Sequence, residues 1–565
     1  MTVREGRALR ILVLTAVVGA LVLPIMAGLF ETARAAFGYL PVVGADHLSL
    51  APWRRLADLP GLRASIILTL WTGFAATILS LFMAFALAGR VWMHSGGKRL
   101  RALALPLLAA PHAAMAIGLA FLIAPSGWIA RVISPWATGW QVPPGIATVH
   151  DPGGIALILG LIVKEVPFLL LMILSVLAQI KAREQAAAAR ALGYSPQTVW
   201  TKILVPQIYR LIRLPVFATL AFALSVVDMA LILGPTQPPT LAVAMTRWFV
   251  AADTRLLMPA SAAAILLAAL AMLSVALWIL GERVMGALNR RRIVGGARRG
   301  WPIAVGAATG QVLLWLGTAA LIALLVWSLA WRWSFPNGLP ESWSVTAWMR
   351  GGWWIALKQS LFLGTVTVLV SVTLSVLWLE GETRAGLARA RWASALIYLP
   401  LMVPQAAFLF GLSVAFLRGG IGAGHFAVMW GQALFVYPYV MLALSDPWHA
   451  LDRRLDRTAA SLGAGPWRRL FRVKLPILLR PILTAAAIGF AVSVAQYLPT
   501  LFMGAGRVAT LTTEAVTLSS SSDRRVAGVY ASLQAAIPFL AYLVAFLIPA
   551  LLHRHRRDLQ GEAGV

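Results

Sequence analysis

Apolar runs of roughly twenty residues alternate along this chain with short segments rich in arginine, glycine and proline. About twelve such runs can be read, at 9–30, 64–88, 103–123, 155–178, 214–233 and 259–278, then 303–330, 357–379, 395–417, 425–445, 482–503 and 527–552. Each is long enough to cross a hydrocarbon core about 30 Å thick. In lipid such a run must be helical, because its backbone groups can find hydrogen-bond partners only within the segment. The pattern predicts an all-α, polytopic integral membrane protein of about twelve helices in two six-helix halves.

Composition agrees. Hydrophobic residues make up 60% of the chain and charged residues 12%, about half the charged fraction of a soluble domain. The net charge of +28 does not indicate a nucleic-acid partner, because the arginines lie in short loops between apolar runs. They concentrate at the N-terminus and in every second loop, as at Arg90, Lys98, Arg99 and Arg101, at Arg283, Arg290, Arg291, Arg292, Arg298 and Arg299, at Arg384, Arg389 and Arg391, and at Arg554, Arg556 and Arg557. By the positive-inside rule these loops and both termini are cytoplasmic, which places a multi-pass protein in the inner (plasma) membrane in contact with lipid. The opposite loops carry tryptophans (Trp128, Trp136, Trp140, Trp331, Trp333, Trp343, Trp348, Trp353 and Trp354), expected as an interfacial belt, with contact to a cation or to a binding protein as the alternative. The first run follows a basic start and precedes Ala33-Arg34-Ala35; its length favours an uncleaved signal anchor. Cysteine is absent, and no histidine pair stands at metal-ligand spacing, so neither a metal nor a cofactor is expected.

Two polar stretches far apart repeat one another. Gly193 pairs with Gly463, Pro196 with Pro466 and Pro206 with Pro476 at one constant offset, which continues to Gly234 with Gly504 and Thr240 with Thr510. Earlier, Ser65 answers Ser360, and the interval from His112 to Gly118 matches that from Gln405 to Gly411. The expected organisation is a parallel duplication, with a first half at 1–282, a basic cytoplasmic join at 283–301 and a second half at 302–565.

Each repeated stretch reads as helix, turn, helix. The alanine-rich segment before Leu192 favours helix. Gly193 ends that helix, as glycine does just past a C-terminus. Ser195 and Pro196 start another as N-cap and first helical residue. Around Arg457 and Thr458, then Gly463, Ala464, Gly465 and Pro466, the second copy builds the same object. In each, nine residues after the glycine lead into a four-residue close, Ile203 to Pro206 in one copy and Val473 to Pro476 in the other.

This spacing resembles the E-A-A loop of binding-protein-dependent ABC importer permeases, and the fused two-half layout is similar to the thiamine, iron and polyamine-type permeases. The resemblance implies that the loops, 187–205 with Ala187, Ala188, Gly193, Tyr194, Ser195, Pro196 and Ile203, and 457–475, dock on two copies of an ATP-binding-cassette ATPase. It further implies an external solute-binding protein and a solute pathway through the permease. The motif's glutamate position holds Ala187 in one copy and Arg457 in the other, with Glu184 and Asp456 nearby but out of register. The chain has no phosphate-binding loop of its own, since Gly96-Gly97-Lys98 lacks the leading glycine and the following hydroxyl. The ATPase is therefore expected on another chain, and no catalytic residue is expected on this one. Two alternatives compete. A major-facilitator transporter should carry an acidic residue in the loop after the second run, and that loop, from Gly89 to Arg101, has none. A polytopic membrane enzyme should show converging catalytic groups.

Ionisable residues within runs are costly in lipid. Asp228 is a candidate for attracting a cationic solute, for pairing with a lysine or for capping a helix break, and Gly234, Thr240, Gly504 and Thr510 are candidates for shaping the pathway or for forming a structural turn. Lys164 and Glu165, just before Pro167, are expected to sit at a helix distortion and to pair for structure. Glu380 and Glu382, at the end of a run, are expected to be solvated.

Overall fold

A computed structural model of the chain describes residues 3–94, 97–294, 302–385, 396–521 and 523–552. The basic positions Arg298, Arg299, Arg389, Arg391, Arg554, Arg556 and Arg557 lie outside the described residues. The described residues are helical throughout, apart from turns and one short antiparallel pair, Ala330–Arg332 with Ser342–Trp343. Among them nine helices are long and apolar enough to span a membrane, or eleven if each of two sharply bent pairs counts as one span.

The structure corrects several expected spans. The run at 103–123 divides into Gly97–Ala109 and His112–Ile123. Pro111 lacks an N–H and cannot carry the first helix onward. Lys164 satisfies the carbonyls left at the break: its Nζ donates to Leu107 O at 2.8 Å, to Leu108 O at 2.9 Å and to Ala110 O. Glu165 accepts from Thr219 Oγ1 at 3.2 Å. The structural role of this pair thus runs through neutral partners. In the second half, Gln405–Arg418 likewise begins directly after a proline, Pro404.

The run at 214–233 is also two helices, Arg213–Ser225 and Asp228–Leu233, and its counterpart is Leu479–Ala495 followed by Leu498–Gly504. Both breaks fall at the same register position, with extended backbone at Val226 and at Gln496. Adjacent β-branched valines weaken helix at the first break, and Pro499 withholds an N–H at the second. Leu257–Val294 is one helix through Arg283 and Arg292, and 295–301 lies outside the described residues.

The compact units are cut differently from the sequence repeats. One unit comprises Met1–Thr32, Gly352–Glu514 and Leu533–Val565; the other comprises Ala33–Gly351 and Ala515–Ser532. The first apolar helix therefore packs with the second half of the sequence, and Ala304–Leu329 packs with the first. Matching glycines receive these exchanged helices. At Gly411 a Cβ would run into the backbone of Gly28 and Thr32, and at Gly118 it would run into the Ala320 carbonyl. Small residues at such contacts let helix backbones approach where lipid supplies no hydrophobic drive. The first helix, Val3–Ala36, is held further by Trp430 Nε1, which donates to Ala20 O at 2.8 Å.

Candidate functional site

The repeated stretches form two elbows, at 182–211 and 453–477. In the first, the helix Ala182–Ala191 ends at Gly193, whose φ of 80° is left-handed. Gly193 N–H donates to Arg190 O at 2.9 Å and Tyr194 N–H to Ala189 O at 3.2 Å, the paired bonds that close a helix C-terminus on glycine. The second elbow does the same after Arg453–Ser461. Gly463 has φ 76° and donates to Ala460 O at 3.0 Å, and Ala464 donates to Ala459 O at 3.0 Å.

Two residues after each glycine a new helix starts with proline in its first turn. Ser195 caps the first copy, its Oγ accepting from Thr198 N–H at 3.2 Å. Gly465 holds the same extended position without a side chain. Each short helix then widens into a π turn, Trp200–Leu204 and Leu470–Lys474, with Val205 N–H donating to Trp200 O and Leu475 N–H to Leu470 O. The prolines at 206 and 476 explain the widening: a proline ring clashes with the carbonyl four residues back and has no N–H to offer it. The chain then bends by 69° at the end of Pro196–Leu211 and by 76° at the end of Pro466–Ile477, entering Arg213–Ser225 and Leu479–Ala495.

The tips are exposed. Ala187, Ala188, Gly193, Ser195 and Pro196 are open to solvent in one copy, as are Arg457, Thr458, Gly463 and Gly465 in the other; Tyr194, Ala464 and Pro466 are partly covered, as are Ile203, Pro206, Val473 and Pro476. Beside each glycine stands an exposed leucine, Leu192 at 69% and Leu462 at 82%. Leu455, Trp467 and Phe471 add exposed apolar area to the second elbow.

Glu380 and Glu382 are buried, against the expectation that they are solvated. Glu380 accepts from Arg384 Nε at 2.7 Å and from Lys474 Nζ at 2.8 Å. Asp456 joins this network through Arg469 at 3.1 Å and Lys474 at 3.5 Å, and Arg384 lies 4.4 Å above the Trp467 ring. Burying a carboxylate at the end of a run is costly unless cations meet it; the second elbow brings Lys474, and Arg384 comes from the helix that carries Glu380. Glu184, by contrast, pairs only with Lys181 at 3.5 Å on the surface.

The pathway candidates are brought to two matching places. Asp228 is buried at the start of the helix after the first break, where a helix N-terminus favours a carboxylate; Leu498 stands in its register. Gly234 closes that helix, and its carbonyl lies 2.7 Å from His150 Nδ1. Thr240 precedes Leu241–Phe249, and Leu241 N–H donates to Thr69 Oγ1 at 2.8 Å. In the other unit Gly504 ends Leu498–Gly504, Thr510 accepts at 3.3 Å from Thr513 N–H, and Leu511 N–H donates to Ser360 Oγ at 2.9 Å.

Sequence reasoning missed a buried amide cluster at the second break. Ser493 Oγ donates to Gln432 Oε1 at 2.6 Å, Gln432 Nε2 to Thr500 Oγ1 at 3.2 Å, and Gln496 Nε2 to Gln432 O at 3.1 Å. Its signal was present, because Ser493, Gln496 and Thr500 recur at helical spacing within an apolar run.

A chain of membrane helices with twin bent elbows and broken fifth spans defines a polytopic transport permease. The family described as "binding-protein-dependent transport system inner membrane component" matches residues 371–557. Over 533 residues, 92% of this chain and 96% of the relative, the sequence is 31% identical to the inner membrane ABC transporter permease protein YnjC of Escherichia coli (strain K12). The chain belongs to this family of ABC transporter permeases. Shorter matches reach the putative 2-aminoethylphosphonate transport system permease protein PhnV of Salmonella typhimurium, 27% identical over 31% of this chain and 68% of that protein. Another is the molybdenum transport system permease protein ModB of Azotobacter vinelandii, 29% identical over 26% of this chain and 72% of that protein. The protein is therefore the permease component of a binding-protein-dependent ABC importer in the inner membrane, and the major-facilitator reading is set aside.

Proposed function

We propose that the two elbows are coupling elements, each docking on one of two copies of a separate ATP-binding-cassette ATPase. On this reading both elbows and both termini face the cytoplasm. The sequence repeats 1–282 and 302–565, joined through 283–301, together form the solute pathway, and an external solute-binding protein delivers the solute. ATP-driven closure of the two ATPases moves both elbows and switches access through the pathway. Asp228, Gly234, Thr240, Gly504 and Thr510 line or shape that pathway near the two helix breaks.

One observation carries the reading: the same glycine-closed, proline-started, π-widened elbow occurs twice, each time with an exposed leucine beside the glycine. A solvated loop has no need of an apolar tip, whereas a docking surface does. The missing glutamate at Ala187 and Arg457 fits docking through this apolar tip.

The test is to express the permease with its cognate ATPase and measure co-purification and ATP-dependent uptake in proteoliposomes. Leu192→Asp with Leu462→Asp is expected to abolish the complex while leaving the permease folded. Unchanged complex and uptake, or uptake that persists without nucleotide and collapses with a protonophore, would overturn the reading.

A further inference from the structure

The unit formed by Ala33–Gly351 and Ala515–Ser532 contains a cavity of about 520 Å³ walled by three guanidiniums and three indoles: Arg131, Arg524, Arg525, Trp327, Trp331 and Trp333. Its residues lie on segments other than those that form the break at Val226 and the elbow of that unit. Arg131 comes from the short helix Trp128–Ile133, Trp327 from the end of Ala304–Leu329, Trp331 from the strand Ala330–Arg332 and Trp333 from just beyond it, and the other arginines from the start of Arg524–Leu552.

The charges are poorly balanced. Asp523, the carboxylate of this wall, is taken by Arg525 in a bidentate pair, Nε to Oδ1 at 2.9 Å and Nη2 to Oδ2 at 3.2 Å. Arg131 and Arg524 meet only neutral acceptors among the described residues. Arg131 Nε donates to Ser126 O at 3.0 Å and its Nη1 to Ser334 O at 2.9 Å. Arg524 Nη1 donates to the same Ser126 O at 3.3 Å and its Nη2 to Ser126 Oγ at 2.8 Å. Two guanidiniums thus converge on one carbonyl oxygen, and Arg131 is almost wholly buried. Like charges so close in a low-dielectric wall repel. Each guanidinium has five N–H donors, and these bonds use two on Arg131 and two on Arg524.

The indoles hold the cations in place. Arg131 lies 4.9 Å from the Trp333 ring centre and 5.6 Å from that of Trp327, Arg524 lies 5.0 Å from Trp327, and Arg525 lies 4.7 Å from Trp331. Each of these three rings already meets at least one of the protein's own cations, so the place invites an anion.

We propose that this cavity binds a small molecule through an anionic oxygen group, a phosphate, phosphonate or carboxylate, held by Arg131 and Arg524 with Arg525 at the rim. The excess of cations over carboxylates in an aromatic wall focuses positive potential on the cavity. The planar donor fork of arginine matches such oxyanions. The same chemistry is offered by a soluble anion and by an anionic lipid headgroup, and the binding does not depend on the transport reading.

The test uses the purified full chain in maltoside micelles free of lipid. Tryptophan fluorescence is titrated with sodium phosphate against sodium chloride at equal ionic strength. A saturable, phosphate-specific response is expected, with Arg525→Gln and Arg524→Gln each weakening it by about 10-fold or more. Each of the three arginines also makes two structural bonds, so a variant counts only if its thermal unfolding matches that of the wild type. The second arm counts phosphatidylglycerol co-purifying from native membranes by mass spectrometry. If wild type carries bound phosphatidylglycerol and the Arg524→Gln, Arg525→Gln double variant does not, the anion is a lipid headgroup. If phosphate titrates and no lipid is lost, it is a soluble anion. Absence of a saturable phosphate response together with equal lipid content in wild type and double variant would overturn the proposal.

Discussion

The two elbows have the same backbone and are fastened by different chemistry. In the first, Trp200 is fully buried, stacks with Trp92 at 5.8 Å between ring centres, and lies against Gly89, where a Cβ would come within 2.5 Å of its Nε1. Gln185 and Gln207 close that elbow with reciprocal amide bonds of 3.2 and 2.9 Å. In the second elbow Leu470 takes the register of Trp200, and the fastening is ionic: Glu380 between Arg384 and Lys474, with Asp456 and Arg469 behind. Lys474 stands in register with Leu204, an apolar residue buried in the first copy. Two glycines, two prolines per copy and a π turn set the shape; what fills the space beneath is free to differ. The difference teaches that the path of the chain, with its exposed tip, is what the duplication kept in common.

The largest expected effects come from removing each fastening. Trp200→Ala empties a fully buried indole site and should cost about 3–5 kcal/mol. Glu380→Gln leaves Arg384 buried without its carboxylate and Lys474 with Asp456 alone at 3.5 Å, and should cost a similar amount, about 3–5 kcal/mol. Thermal unfolding of the purified chain measures both. The comparison is sharpened by Gln185→Ala, which removes only neutral amide bonds and should cost about 1 kcal/mol. If Glu380→Gln costs no more than Gln185→Ala, the ionic network is not what holds the second elbow, and the contrast breaks.

The shared part of the comparison makes an intermediate prediction. Gly193→Ala and Gly463→Ala put a Cβ on left-handed backbone, which costs about 1–2 kcal/mol at either position. Nothing lies within 4 Å of a Cβ built at Gly463, so there the effect is conformational alone. The two variants should destabilise their elbows equally, as read by hydrogen exchange of the amides at 194 and 464. A clear inequality would mean that the elbows do not rest on the same turn.

Much of this could be read from the chain. The paired glycines and prolines predicted the turn, the second short helix and its proline start in both copies. The pairing of Gly118 with Gly411 was visible too, though not its meaning, because apolar runs look alike and nothing in them tells which helix will pack on a glycine. The breaks at Val226 and Gln496 were signalled only by scattered polar residues, Asp228 in one run and Ser493, Gln496 and Thr500 in the other, which the long apolar stretches around them outweigh. Glu380 was misread as solvated because its partner Lys474 is remote in sequence, and a lone acid at the end of a run usually does meet water. The arginine and tryptophan cavity draws on three segments that only folding brings together.

The smallest expected effect isolates the one local difference in how the elbows restart. Ser195 caps its helix through Oγ, 3.2 Å from Thr198 N–H and 2.8 Å from Thr198 Oγ1, whereas Gly465 offers no side-chain cap. Ser195→Ala should cost about 1 kcal/mol, and Gly465→Ser should gain only a few tenths, since glycine is itself a tolerated cap. Gly465 has φ −63° and ψ 162°, a conformation any residue adopts, so serine can enter without strain and reach the N–H at position 468. Hydrogen exchange of the amides at 197–198 and 467–468 reads both changes locally, with about a five-fold loss of protection in the first elbow and a slight gain in the second. A loss in the second elbow would mean that its tip needs the missing side chain, and that the two restarts are shaped by different constraints.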